Sequence, residues 1–325
     1  MKSNALMRGL FVLIAAFALA LAVAACGDDN DDSSSSGSDS ASLIKNNPEN
    51  SGKKITVGSK NFDEQFILGE IYAQALTAAG YDVSTDLNLG DENIALKALE
   101  GGDITGYPEY TSTALTSFFK EKPEDVPADA NEATEAAAED FAAKGLVAFD
   151  PAPFNSANAV GMLKSKADEL GVTKISDLEG KSEDLTLYGT TECRQRIDCL
   201  LGLQQEYGLQ FKEFKPTDSS NRYTVLDNGD ADLSIVYTSG GELANSDKYV
   251  ILEDDQGLIP AGNPIFITTL KDNEAAGPDF ESTIQTVQEG LKPEIMQELN
   301  ARVSIDKEQP KDVAADYLKS AGYVE

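Results

Sequence analysis

The residues of this chain best equipped for chemistry lie in Gly102–Leu115, GDITGYPEYTSTAL. Tyr107 and Tyr110 stand beside Asp103 and Glu109, and Thr111, Ser112 and Thr113 add hydroxyls. Proline is tolerated in the first turn of a helix, where its missing N–H would be unpaired anyway. The segment therefore reads as a short strand, Asp103–Thr105, a turn carrying Tyr107, and a helix from about Pro108. That geometry sets rings and hydroxyls at a strand's C-terminal end and a helix N-terminus, where α/β folds bind ligands. Catalysis by a Ser-His or Cys-His pair is excluded in its usual forms, because the chain has no histidine. It has no tryptophan either, so an aromatic cage must be built from Tyr or Phe.

The elements that must position these groups alternate. Lys54–Gly58 reads as a buried strand. A helix from about Phe62 to Ala79 follows, with Phe62, Phe66, Ile67, Ile71, Ala75 and Leu76 as its apolar stripe and Gly80 as its stop. Val83–Leu89 is the next strand and Asn93–Leu99 the next helix. Alternation of this kind predicts a parallel α/β sheet. Glu132–Lys144 is an alanine-rich helix and Leu146–Phe149 a strand. After a Pro- and Asn-bearing connector, Pro151–Ala157, a second α/β set runs from Ala159 to Glu253. It includes a helical Cys193–Tyr207 and the strands Gln210–Phe214 and Ala231–Tyr237. A second irregular connector, Asp254–Pro264, leads to the strand Ile265–Thr269 and to helices at Pro278–Lys292, Lys292–Ala301 and Pro310–Ala321. Two connectors about a hundred residues apart suggest a chain that leaves one lobe, builds another and returns.

The N-terminal end reads differently. Lys2 and Arg8 precede the uncharged apolar run Leu10–Ala25, which is short for a membrane span and ends in small residues, as a signal peptide does. Val23-Ala24-Ala25-Cys26 resembles a bacterial lipobox, which would make Cys26 the lipid-bearing mature N-terminus; an ordinary signal peptide and an uncleaved anchor are the alternatives. Residues 1–26 are thus expected to be a signal peptide. Residues 27–53, beginning GDDNDDSSSSGSDSAS, are expected to be a flexible acidic, serine-rich linker with too little apolar content to order itself. With 56 Asp+Glu against 26 Lys+Arg the chain is strongly acidic, which argues against nucleic acid and anionic membrane surfaces as partners. Beyond Cys26, Cys193 and Cys199 remain. In an extracytoplasmic protein they would close a short loop as a disulfide, with two free thiols as the alternative. A metal site on this pair without histidine is a poor fit, and no cofactor is expected.

The stretch GDITGYPEYTSTAL closely resembles the DIDxYPEYTGTAL-type segment of the substrate-binding proteins of osmoprotectant ABC transporters, which take glycine betaine, choline, proline betaine and related quaternary amines. The resemblance extends through VGSKNFDEQFILGEI (Val57–Ile71), RQRIDCLLGLQQEYGL (Arg194–Leu209), LDNGDADLSIVYTSGGEL (Leu226–Leu243) and LEDDQGLIPAGNP (Leu252–Pro264), nearly the whole mature domain. It implies a bilobal periplasmic-binding-protein fold of type II: two α/β lobes joined by two crossover connectors, with lobe one at 54–155 and 260–325, lobe two at 156–259, and a cleft that closes by a hinge. It also implies a partner permease with its ATPase, a monomer, and a place on the extracytoplasmic face of the cell membrane held by the lipid alone.

A betaine presents a permanent cation that cannot donate hydrogen bonds, so aromatic faces are its best partners, while its carboxylate needs cations or hydroxyls. Carried over by the resemblance, Lys60 and Thr113 match positions that meet the ligand carboxylate. Arg196 matches the arginine that reaches across from the second lobe, and Tyr110 and Tyr237 match cage rings. Tyr107 is a further candidate. Two connector positions depart from the pattern. The first connector commonly reads Asn-Asn-x-Tyr-Ala, and here Asn158 stands for the ring. The second commonly reads Pro-Pro-Tyr-Asn-Pro, and here Gly262 stands for the tyrosine. Two missing cation–π contacts, at roughly 0.5–2 kcal/mol each, would weaken a trimethylammonium head group by about tenfold to a few hundredfold. Tyr188, Tyr223 or Phe154 are the rings that would compensate, and Asn158 would suit a ligand with N–H or O–H groups. The expected function is the solute-binding component of an osmoprotectant importer, not an enzyme. Its ligand is glycine betaine or a related quaternary amine, the alternative being a non-quaternary polar solute such as an amino acid. An Asp/Glu-based extracytoplasmic hydrolase is the reading from another class, and the absence of histidine weighs against it.

Overall fold

A computed structural model of the chain describes residues 43–325, apart from 217, 245 and 246. The expected signal segment with Cys26, and the linker up to residue 42, lie outside the described residues. Strands are β1 (Lys54–Gly58), β2 (Asp82–Asp86), β3 (Gly106–Tyr110), β4 (Leu146–Ala148), β5 (Asn158–Leu163), β6 (Thr186–Gly189), β7 (Glu213–Pro216), β8 (Leu233–Tyr237), β9 (Tyr249–Ile251) and β10 (Pro264–Thr269). Helices are α1 (Asp63–Ala78), α2 (Glu92–Gly101), α3 (Thr111–Thr113), α4 (Ala130–Ala143), α5 (Lys164–Leu170), α6 (Leu200–Gln205), α7 (Thr224–Asp227), α8 (Leu270–Ala276), α9 (Pro278–Gln288), α10 (Pro293–Ser304) and α11 (Pro310–Ser320). One sheet has the order β2-β1-β3-β10-β4 and the other β7-β6-β8-β5-β9. The chain builds most of the first sheet, crosses to make all of the second, and returns to insert β10. This is the bilobal architecture that the two connectors imply.

The sheets are mixed rather than parallel, which corrects one expectation. β1 runs parallel to β2 and β3, and β6 runs parallel to β7 and β8. β10 is antiparallel to β3 and β4, and β5 is antiparallel to β8 and β9. β5 and β10 are the first strands after each crossing. They enter their sheets from the end at which β3 and β8 finish, with Asn158 opposite Tyr237 and Pro264 opposite Tyr110. The crossings therefore bring Tyr110, Tyr237 and both connectors to one place.

A second correction concerns Pro108, which lies inside strand β3 and not in a helix; the helical turn starts at Thr111 and widens into a π-helical stretch over Ala114–Phe118. Proline in a sheet must sit where no ladder bond is needed. Pro108 is opposite Phe266, whose carbonyl is already taken by the Phe149 N–H at 2.9 Å. The Pro108–Phe266 pair is therefore a non-hydrogen-bonded one, and the proline nitrogen faces the β1 side, where pairing ends at Val57–Gly106. In turn, the strand expected at Asp103–Thr105 begins only at Gly106.

Local signals fix the helices near the cleft. Asp63 and Glu64 occupy the first turn of α1, where negative charge is favoured. Asp91 caps α2 by accepting from the Asn93 and Ile94 N–H groups at 3.0 Å each, and Gly102 at φ 78° closes it in the left-handed region. Ile67, Leu68, Ile71, Tyr72 and Leu76 of α1 are buried against the C-terminal helices, among them Val313, Ala314 and Leu318. A separate cluster around Leu99, Phe141, Ile265 and Ile267 fills the opposite side of the first sheet. The second lobe has its own core, built on Val160, Leu187, Leu203 and Leu233.

The linker expectation is shortened. From Leu43 the chain docks on the fold: the Leu43 and Ile44 N–H groups donate to the Gly322 and Tyr323 carbonyls, and the Asn47 and Asn50 side chains donate to Asp279 at 2.6 and 3.0 Å. The helix expected over Cys193–Tyr207 is interrupted between Gln195 and Leu200, at the segment that carries Arg196.

Candidate ligand-binding site

The two connectors are tied to each other and to the start of α3. The Ser156 N–H donates to the Gly262 carbonyl at 2.8 Å, and the Gly262 N–H donates to Asn155 Oδ1 at 2.7 Å. Asn263 donates to the carbonyls of Ala152 and Phe154 and exchanges two bonds with Thr111. A Cβ on Gly262 would lie 2.3 Å from Ser112 Oγ and 3.3 Å from the Ser156 carbonyl. The glycine therefore reflects close approach of the connectors; a ring there would have to push Ser112 aside.

Beside this hinge, a cavity of about 40 Å³ separates the lobes, lined by Phe62, Tyr110, Thr113, Asn158, Arg196 and Tyr237 among others. One water needs at least about 10–15 Å³ on this measure, so the cavity has room for more than one water-sized group. Of the residues proposed from sequence, five line it: Tyr110, Thr113, Asn158, Arg196 and Tyr237.

Tyr110 is held by its hydroxyl, which donates to Glu64 Oε1 at 2.7 Å. Tyr237 lies under Arg222, whose guanidinium carbon is 3.7 Å from the ring centroid and whose Nη1 donates to the Ile235 carbonyl. Burial pushes both phenols above their usual range; Glu64 adds to the effect at Tyr110, while Arg222 and Arg196 oppose it at Tyr237. Both rings therefore stay neutral. The third ring is Phe62, whose centroid is 4.9 Å from that of Tyr237 and 6.1 Å from that of Tyr110. Sequence reasoning assigned Phe62 to the apolar stripe of α1. The available signal was its position: it precedes the first helical turn, so its side chain points off the end of the helix and not along its buried face.

Arg196 spans the lobes. Its Nε and Nη2 donate to Asp198 at 2.8 and 2.6 Å, Nη2 reaches Thr113 Oγ1 at 3.4 Å, and Nη1 is 3.3 Å from Glu92. Burial alone would lower its pKa, but the Asp198 and Glu92 carboxylates drive it well above the usual value. Asn158 donates to Asp198 Oδ2 at 3.2 Å and so orients the group that orients Arg196. The loop bearing Arg196 and Asp198 is closed by the Cys193–Cys199 disulfide, so the paired-cysteine alternative holds and the free-thiol one does not.

Two candidates are placed elsewhere. Tyr107 is fully buried in the core of lobe one and does not line the cavity; its hydroxyl donates to Glu109 Oε2 at 2.9 Å. The Lys60 ammonium is ion-paired with the fully buried Glu109 and rests 4.6 Å from the Tyr110 ring centroid. It backs the cavity instead of lining it. The pair satisfies a buried carboxylate that also accepts from the Tyr110 N–H. Of the compensating rings considered, Phe154 is buried, and neither Tyr188 nor Tyr223 lines this cavity.

Two lobes that close on a small cavity walled by rings and tethered arginines define a solute-binding protein. The chain belongs to the family described as the substrate binding domain of ABC-type glycine betaine transport system, whose profile matches residues 53–320. It is 32% identical over 276 residues, 82% of this chain and 87% of the relative, to the glycine-betaine-binding protein of Pseudomonas aeruginosa. It is 24% identical to the glycine betaine-binding protein YehZ of Escherichia coli, over 85% of this chain and 93% of the relative. Among solved structures, a glycine betaine/carnitine/choline ABC transporter protein superposes with a TM-score of 0.65 at 25% identity, covering 83% of this chain and 99% of the other. The chain is thus the extracytoplasmic solute-binding component of an ABC importer, working with a permease, and not an enzyme. Among the described residues no helix is long and apolar enough to cross a membrane.

Proposed function

We propose that this chain captures a quaternary ammonium solute of the glycine betaine or choline type in the cavity between its lobes. The observation that carries the reading is the ring set: Phe62, Tyr110 and Tyr237 converge on one cavity from both lobes. A cation that cannot donate hydrogen bonds gains most from such faces, about 0.5–2 kcal/mol for each. Phe62 offsets part of what Asn158 and Gly262 lack as rings. Thr113 and Arg196 offer the solute's polar end a hydroxyl and a guanidinium, and Asn158 and Asp198 hold that guanidinium in place. Lys60, Glu109 and Tyr107 form the support behind Tyr110.

The same reading gives the chain its organisation. Residues 1–26 form a lipoprotein signal, Cys26 carries the lipid, and the acidic stretch after it tethers a monomer to the outer face of the membrane. Residues 54–155 and 260–325 are lobe one, and residues 156–259 are lobe two. Calorimetry or thermal unfolding of the purified protein against glycine betaine, choline, carnitine, proline betaine, ectoine and amino acids tests the ligand. A quaternary amine should stabilise the fold by RT ln(1 + [L]/Kd) and so raise the midpoint. A response confined to primary or secondary amines would sink the ring-cage reading.

A further inference from the structure

Behind the Phe62–Tyr237 ring wall lies a second cavity of about 60 Å³, lined by Phe62, Asp63, Glu64, Arg222, Tyr223, Tyr237, Ser239–Glu242, Asn300 and others. It too is interlobal. Asp63, Glu64 and Asn300 come from α1 and α10 of the first lobe, and Arg222, Tyr223 and Glu242 from the second. The lobes meet tightly at its edge: a Cβ on Gly241 would fall 2.4 Å from the Ala301 backbone nitrogen, and Asn300 Nδ2 donates to the Ser239 carbonyl at 2.9 Å.

This cavity is polar and incompletely satisfied. Asn300 is 6% exposed; its Nδ2 is bonded to Glu64 and Ser239, yet its Oδ1 has no partner. The Tyr223 hydroxyl and Arg222 Nε, both buried, also lack one. Unsatisfied buried polar atoms are uncommon in native proteins, and several around one cavity point to a missing occupant. Three carboxylates, Asp63, Glu64 and Glu242, face it against one guanidinium. That guanidinium is already directed at the Ile235 carbonyl and the Tyr237 hydroxyl. Burial raises the Asp63 and Glu242 carboxyls above their usual range; Lys307 and Arg222 oppose it at Asp63, and at Glu242 a backbone N–H, Ser304 and Lys307 oppose it while Asp63 adds to it. At Asp63 and Glu242 burial outweighs these partners, whereas Glu64 is engaged by the Tyr110 hydroxyl and Asn300 Nδ2. Asn300 Oδ1 and the carboxylates of Asp63 and Glu242 are acceptors that suit a hydrogen-bond-donating group, and the Tyr223 hydroxyl can accept as well; Arg222 Nε is a donor and contributes nothing to holding it. No three His, Cys, Asp or Glu side chains among the described residues are grouped to hold a metal ion.

We infer that this second cavity binds a small hydrogen-bond-donating cation of the ammonium or primary-amine class, held between Asp63 of one lobe and Glu242 of the other, with Asn300 Oδ1 as a further acceptor. It complements the ring cavity, which suits a cation unable to donate. Because its two carboxylates come from opposite lobes, occupancy stabilises closure. By reciprocity it tightens binding in the ring cavity by the same factor as the ring ligand tightens it here.

The test is thermal unfolding of the purified protein at pH 7 and constant ionic strength, with ammonium or methylammonium chloride exchanged for potassium chloride. Potassium controls for charge without hydrogen-bond donation. The expected result is a saturable rise of about 2 °C or more in ammonium over potassium, lost in both Asp63→Asn and Glu242→Gln. Glu242→Gln should still be stabilised by choline or glycine betaine in potassium alone, which reports that the variant is folded and binds in the ring cavity. An equal response to potassium and ammonium, or an ammonium effect that survives in both variants, overturns the proposal. An ammonium effect without any quaternary response supports this site while removing the ring-cage reading. A quaternary response with no ammonium effect removes this site alone.

Discussion

The two lobes build their halves of the ring cavity in different ways. Lobe one's half is held by contacts within that lobe: Tyr110 is fixed by Glu64, and behind it Lys60, Glu109 and Tyr107 form a buried network. Lobe two's half is finished only across the gap. Arg196 is held by Asp198 on its own side but also needs Glu92 and Thr113 on the other. The first lobe therefore supplies a preorganised wall, while the second supplies a clasp whose bonds form on closing. On the proposed reading the rings contact the solute and the clasp sets the closed fraction, and apparent affinity depends on both.

Breaking the clasp should have the largest effect. Arg196→Ala leaves Asp198 and Glu92 buried without their cation, and removing one partner of such a group costs about 3 kcal/mol or more. Calorimetry should show solute affinity falling by about a hundredfold, and small-angle scattering should show the variant open at solute concentrations that close the unaltered protein. Retained affinity would mean that the rings alone hold the lobes together. Loosening the clasp should do less. Replacing Cys193 and Cys199 by serine frees the loop that presents Arg196, and loop-closure entropy for so short a loop sets the loss of stability near ~2 kcal/mol. Denaturant unfolding checks it, and an unchanged midpoint would place the loop's order in its hydrogen bonds alone. Thinning the wall should do less again. Phe62→Leu keeps an apolar side chain but removes one π face, so affinity for choline should drop about threefold to thirtyfold. A neutral solute should be unaffected, and equal losses for both would make Phe62 a packing residue.

The same contrast explains what was legible in the sequence. Lobe one's wall is written locally, in Lys60-Asn61-Phe62 and Tyr107–Thr113, so its ring and hydroxyls could be read from a contiguous motif. Pro108 misled because a proline just before a run of hydroxyl residues suggests helix entry, and only the pairing of β3 with β10, more than 150 residues away, gives it a strand position without a lost bond. Lys60 is a candidate through the resemblance and Tyr107 through its place in the motif, and the structure sets both behind the cavity. Their engagement with Glu109 depends on alternation along β3, which sends Tyr107 and Glu109 into the core. Gly262 looked like a missing ring, and its reason, the contact with Ser112 and Ser156, arises between connectors distant in sequence. The bilobal order was readable because both connectors interrupt the alternation of elements. The antiparallel β5 and β10 were not, since strand direction follows from where the chain re-enters each lobe.

The smallest expected effect concerns the acids of the second cavity and has a definite sign. Burial holds the Asp63 and Glu242 carboxyls above their ordinary values in the folded protein, so the fold binds their protons more tightly than the unfolded chain does. Stability from these two groups is therefore present below the unfolded value, near about pH 4, and is lost as pH rises through the raised folded value. Three other carboxylates act oppositely: Asp255, Asp279 and Glu308 are held below their ordinary values by hydrogen bonds, chiefly from Ser176, Asn47 and Arg302 respectively, and favour the fold at neutral pH. A difference curve separates the two sets. In potassium buffer, the Asp63→Asn/Glu242→Gln protein should melt slightly higher than the unaltered protein at pH 7, and the gap should close towards pH 4. Ammonium at pH 7 should close it as well, because it supplies the compensation that the amides make unnecessary. A double variant that is less stable at pH 7 would show these carboxylates already compensated within the protein, and lobe two's clasp would then extend to Glu242 without a bound cation.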